Sequence, residues 1–104
     1  MTRQAYTMKL KPGFEAEYKK RHDEIWPELS RALHDAGVSD FSIFLDERTL
    51  TLFAFRKVGD GEKFAALPRL PIVRKWWDYM APIMDVNPDN SPVENELKEV
   101  FHLD

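Results

Sequence analysis

One histidine, His22, follows Tyr18 by a helical turn on a segment that also carries Phe14 and Trp26. An imidazole able to give or take a proton near neutral pH therefore shares a stripe with aromatic rings. That combination could build a small site for an uncharged, ring-shaped substrate. The same spacing also suits two core residues whose polar tips meet water or a backbone carbonyl. A void large enough for a monosaccharide beside the imidazole separates the two readings. Trp76 and Trp77 are neighbours in sequence, hence about 100° apart around a helix axis, so they face different surroundings. One of them can line a cavity, where an indole stacks on an apolar ring face and its N–H donates to oxygen, as a sugar would need. Packing of both at a helix–sheet interface is the competing reading.

Other chemistries find little support. With no cysteine, disulfides, thiolate nucleophiles and cysteine-ligated metals are excluded. His34 and His102 show no metal-ligand spacing with His22, and the acidic residues Asp85, Asp89, Glu94, Glu96 and Glu99 follow no calcium-loop pattern, so no metal site is expected. Glycine-rich phosphate loops are absent, which argues against nucleotides. Fifteen basic residues against 18 acidic ones leave a net charge of -3, a poor match for a nucleic-acid backbone. The run Lys19-Lys20-Arg21 is interleaved with Glu15, Glu17, Asp23 and Glu24, as on a solvated helix face.

The 104 residues, 43% hydrophobic and 32% charged, are expected to form one domain with one core. No apolar run approaches the ~20 residues of a membrane span. The opening residues lack a secretory pattern, so a cytoplasmic protein is expected.

The elements that must hold these side chains follow from periodicity. Thr2 to Leu10 alternates, with Tyr6, Met8 and Leu10 on one side, and reads as a first strand. Lys11-Pro12-Gly13 turns the chain, after which Phe14 to Ala36 has helical spacing up to Gly37. Pro27 falls inside that stretch, so the helix must kink or restart between Asp23 and Trp26.

Asp40 to Leu45 and Leu50 to Lys57 alternate around a polar loop and read as a hairpin. Asp60-Gly61 can cap a short helix from Glu62 to Leu67, and Pro71 opens another carrying Ile72, Val73, Trp76, Trp77, Met80 and, at its far end, Met84. Asn87 to Pro92 is a turn cluster, and Leu97 to Leu103 reads as a fourth strand. The order β-α-β-β-α-β is that of the ferredoxin-like α+β fold, a four-stranded antiparallel sheet with helices on one face. Phe41, Ile43 and Leu45 point one way and Phe44 the other, so the second face is apolar too and calls for a cover, most simply a twofold homodimer.

Three segments taken in order carry a more specific message: Lys20-Arg21-His22-Asp23-Glu24-Ile25-Trp26-Pro27-Glu28-Leu29, Lys75-Trp76-Trp77-Asp78-Tyr79-Met80, and Asn87-Pro88-Asp89-Asn90-Ser91-Pro92 running into Leu97 and Glu99-Val100-Phe101. Together they resemble the L-rhamnose mutarotase family along essentially the whole chain. The resemblance implies a cofactor-free isomerase of rhamnose catabolism that interconverts the α and β anomers of L-rhamnose, built as a dimeric α/β barrel of two ferredoxin-like subunits. It implies the proton-donor role for His22, substrate binding for Tyr18, and a sugar-binding wall of Trp76 and Trp77.

At Phe41 the chain departs from a family position that often holds a substrate-contacting tyrosine, so the ring is kept and a hydroxyl lost. The family resemblance leaves the conjugate base open among Tyr18, an ordered water and a carboxylate from elsewhere in the fold. Two rival functions remain to be separated from this one: a cofactor-independent oxygenase of the same architecture and a non-catalytic small-molecule-binding module.

Overall fold

The computed structural model describes residues 2–59 and 61–104. Four strands, β1 (Thr2–Lys9), β2 (Val38–Asp46), β3 (Thr51–Val58) and β4 (Asn95–Leu97), form one antiparallel sheet in the order β2-β3-β1-β4. Between them run the helices α1 (Glu15–Asp23), α2 (Pro27–Asp35), α3 (Gly61–Ala66) and α4 (Pro71–Met80). This is the ferredoxin-like α+β order expected from the sequence.

Pairing fixes which side chains face the helices. Tyr6 lies opposite Ala54 and Met8 opposite Leu52, while β2 brings Ile43 against Ala54 and Leu45 against Leu52. With a side-chain period of two, these residues share one face. Tyr6, Met8, Leu52 and Ala54 are buried there with Tyr18, Met80, Ile83 and Met84. A second cluster, Leu29, Ala36, Val38, Leu67 and Val73, sits beneath α2 and α4. Trp76 packs against both clusters, so the indole bridges the two halves of the apolar interior.

The helical stretch from Phe14 divides where the proline requires it. Pro27 has no N–H to return to the preceding turn and disfavours helical torsions in the residue before it. Trp26 is accordingly extended at φ -62°, ψ 130°, and Pro27 becomes the first residue of α2. Acidic Glu15 and Glu17 lie in the first turn of α1 and Lys20, Arg21 and His22 in its last, matching the helix dipole. Gly37, with φ +86°, takes the left-handed conformation that ends α2, and its N–H reaches the carbonyl of His34 at 3.0 Å.

Several boundaries differ from expectation. The first strand ends at Lys9, and Leu10 makes an isolated bridge to Met84. The last helix stops at Met80 because Pro82 follows, so Met84 is extended rather than helical. The helix expected over Glu62 to Leu67 is α3, Gly61–Ala66, and continues as a 3-10 turn over Leu67–Arg69. Asp60, expected as its cap, lies outside the described residues.

The fourth strand is the largest correction. It covers Asn95–Leu97 against Thr7, Tyr6 and Ala5 rather than Leu97 to Leu103. Beyond Leu97 the chain still follows β1, since Arg3 and Glu99 form an ion pair at 2.8 Å, yet no strand ladder continues. Val100, Phe101 and Leu103 in this tail are strongly exposed.

Candidate active site

α1 and α4 bring together the residues that the sequence singled out. The His22 ring stacks on Tyr18 with centroids 4.3 Å apart, a direct result of their spacing on α1. The edge of Trp76, from α4, meets it at 5.4 Å and 89°. Trp76 is braced in turn by Trp26 at 5.0 Å and Tyr79 at 5.6 Å.

Arg21 ties the two helices together. Its guanidinium lies 4.0 Å from the Tyr79 ring centroid and donates to the Tyr79 carbonyl, while Glu17 holds it from one turn back at 2.6 Å. The basic run containing Arg21 reads from sequence as a solvated face. Only the tertiary placement of Tyr79 reveals its second task.

The imidazole has a defined tautomer. Nδ1 lies 3.1 Å from the Tyr18 carbonyl oxygen, which can only accept, so Nδ1 carries the hydrogen and donates. Nε2 is then the nitrogen available for chemistry. Burial lowers the pKa of His22, opposed by the bond to Tyr18 and by Asp23, so the neutral ring is favoured near neutral pH. Burial raises the phenol of Tyr18 well above its ordinary range, with the Tyr6 phenol adding to the effect. It therefore stays protonated and able to donate a hydrogen bond.

His22 is not sealed inside the core. It borders an open cleft of about 1370 Å³ between the helices and the sheet, shared with Tyr18, Phe41, Trp76 and Trp77. That is larger than the ~300–1,000 Å³ usual for a small-molecule site, so a monosaccharide would fill only part of it. Trp77 diverges from Trp76 and lies beneath Arg74, whose guanidinium is 5.4 Å from the ring centroid. Phe41 lies within an irregularity between Ser39 and Ser42, directly after Asp40 at φ +50°.

Among the other polar residues that border the same cleft are Tyr6 and Arg56. Arg56 was legible in principle, since alternation through Leu52 and Ala54 puts a charged residue on the buried side of β3. Of the remaining histidines, His34 borders the same cleft and His102 does not. His102 pairs with Asp104 at 2.8 Å, and His34 closes the last turn of α2.

A ferredoxin-like sheet with a histidine set among aromatic rings beside an open cleft has the make-up of a small enzyme of the α+β class. The sequence profile of the L-rhamnose mutarotase family matches residues 3–103, and the chain belongs to that family. Curated relatives named L-rhamnose mutarotase include one from Phocaeicola vulgatus, 58% identical over the full length of both chains. Another, from Flavobacterium johnsoniae, is 57% identical over 98% of this chain and 95% of its own.

The crystal structure of the L-rhamnose mutarotase FA22100 from Formosa agariphila superposes with a TM-score of 0.93 at 54% identity, covering 100% of both chains. A putative antibiotic biosynthesis monooxygenase from Nitrosomonas europaea has a TM-score of 0.63 over 95% of this chain and 89% of its own. At 11% identity that likeness is one of fold alone.

Proposed function

We propose that the chain is an isomerase that interconverts the α and β anomers of L-rhamnose, with His22 exchanging the proton. Family membership favours this reading over an oxygenase or a passive binding module. The observation that carries the site assignment is the imidazole at the cleft, with Nδ1 committed to the Tyr18 carbonyl and Nε2 left for the substrate.

Ring opening of a cyclic hemiacetal moves few atoms. The anomeric hydroxyl loses its proton, the bond from C1 to the ring oxygen breaks, the ring oxygen gains a proton, and an aldehyde forms. Rotation about C1–C2 and reclosure give the other anomer. A neutral imidazole accepts the anomeric proton at Nε2, and the imidazolium so formed delivers it to the ring oxygen as the bond from C1 breaks, the proton-donor role that the family resemblance gives His22; reclosure runs the same two transfers in reverse. Tyr18, as a neutral phenol, hydrogen-bonds the sugar. Trp76 and Trp77 offer indole surface to its apolar face, and Phe41 adds a ring without a hydroxyl. None of these steps moves a hydride, a phosphoryl group or an acyl group.

The reading extends to a cytoplasmic, one-domain protein that pairs with a second copy through the outer face of its sheet. Phe44 and Phe55 meet there at 5.9 Å, 63% and 42% exposed, and Leu97 lies on the same side. An apolar patch of this kind on a small domain calls for a cover.

Saturation-transfer NMR on L-rhamnose tests the reaction against a buffer control, because anomers also exchange spontaneously. His22→Asn should bring exchange close to the uncatalysed rate, a loss of about a hundred- to ten-thousandfold of the kind positioned proton transfer supplies. Undiminished exchange in a folded His22→Asn protein would remove His22 from the mechanism.

A further inference from the structure

Alternation along β3 sets Arg56 on the helix-facing side of the sheet, and β1 sets Gln4 and Tyr6 beside it. A guanidinium there is costly unless its donors are used. Arg56 Nε donates to Gln4 Oε1 at 3.0 Å and Nη1 donates to the Tyr6 hydroxyl at 3.2 Å. The rings of Tyr6 and Phe64 lie 4.6 and 4.7 Å from its Cζ, so the plane of the group is fixed. An arginine has five N–H donors in a fork, and these two bonds leave others free.

Glu94, in the approach to β4, borders a recess of about 310 Å³ together with Gln4, Tyr6, Arg56 and Phe64. Its carboxyl is close enough to act electrostatically on both Tyr6 and Arg56. Tyr6, Arg56 and Glu94 also line the larger cleft that His22 enters. The Tyr6 phenol is near enough to Tyr18 to raise its pKa, so this sheet-borne group begins where the helix-borne site ends.

We propose that Arg56 and Glu94, with the Tyr6 hydroxyl, form a second polar wall of the cleft that binds adjacent hydroxyls of the monosaccharide and determines which sugar is accepted. It rests on the reading that the cleft takes a pyranose, and it adds the residues that choose among pyranoses. The chemistry is complementary: fixed N–H donors from Arg56 meet one hydroxyl oxygen while the Glu94 carboxyl accepts from the neighbouring hydroxyl. A sugar whose hydroxyl is missing or inverted leaves partners unpaired in a partly desolvated site, the arrangement that discriminates most strongly. Glu94 is an exposed residue whose carboxyl is nonetheless partly desolvated at the recess, which pushes its pKa up against the pull of Arg56.

The test uses the whole protein and two probes. One is L-rhamnose in the exchange assay; the other is 1,5-anhydro-L-rhamnitol, which lacks the anomeric hydroxyl and can bind but not react. Glu94→Gln and Arg56→Met should each raise the Kd of the anhydro sugar and the KM of L-rhamnose by about ten- to a hundredfold. The preference for L-rhamnose over L-fucose should shrink with them, with kcat little changed. Arg56→Met also deprives Tyr6 of a partner, so if that variant unfolds, Glu94→Gln, at an exposed position, decides alone.

Unchanged Kd and sugar preference in a folded Glu94→Gln protein would overturn the second wall. If wild-type protein exchanges anomers yet Kd ignores both substitutions, the wall fails and the reaction stands. If it exchanges nothing yet Kd follows them, the reaction fails and the wall stands.

Discussion

At His22 the decisive variable is which nitrogen is free and in which charge state. The helix supplies the first answer by presenting the Tyr18 carbonyl to Nδ1, and burial supplies the second by lowering the pKa. Exchange catalysed by Nε2 as a base should then persist below the ordinary histidine midpoint of about 6.5 before it falls. A rate profile between about pH 5 and 8, corrected for spontaneous exchange, checks this; an inflection above the reference value would contradict it.

The same shift has a sign in stability. The unfolded chain binds the proton more readily, so unfolding free energy should decline as pH falls through about 6.5 and level off below the folded-state pKa. The difference between wild type and His22→Asn in denaturant midpoints at the two ends of that range isolates the contribution. His22 and its aromatic neighbours were legible because their helical spacing is local. Alternation shows which side of β3 Arg56 takes, but the roles of Arg56 and Arg21 were not legible, since each depends on a partner 50 or 58 residues away.

At the scale of elements, backbone chemistry at a few positions decides where the site residues stand. Pro27 separates α1 from α2, leaving His22 in the last turn of a short helix beside the break, and this much follows from the proline alone. Gly37 is the complementary device at the far end of α2. An alanine there would be held at φ +86°, a conformation costing an L-residue roughly 1–2 kcal/mol, so Gly37→Ala should lower unfolding free energy by about that amount. Equilibrium denaturation measures the loss, and kcat should be unaffected because the strain lies outside the cleft.

The strand ends were the least legible part. Leu97 to Leu103 has the composition of a strand, but a strand forms only where a neighbour offers its edge, and β1 does so only for Asn95–Leu97. The turn from Asn87 to Ser91 was readable from its residue types. Its anchoring to α4 through Asn90 and Asp78 at 3.0 Å was not, because nothing in the local pattern names a partner on another element.

For the whole molecule, the two faces of the sheet have different work. One carries the core and the cleft, and the other carries exposed phenyl rings that water does not stabilise. Phe44→Glu places a charge on that second face, beside Phe55. It should shift the protein to a single-chain mass in sedimentation or light-scattering measurements at micromolar concentration, and a wild-type protein that is already monomeric there would refute the pairing.

The tail beyond Leu97 adds a consequence of its own. Val100, Phe101 and Leu103 lie 77% to 88% exposed outside any strand, and among the described residues Arg3 tethers the stretch through Glu99. A second copy of the chain, as proposed above, would offer those side chains a cover that their own sheet does not. With the pairing proposed above, exposure of Val100, Phe101 and Leu103 would rise on dilution, as the cover supplied by a second copy is lost.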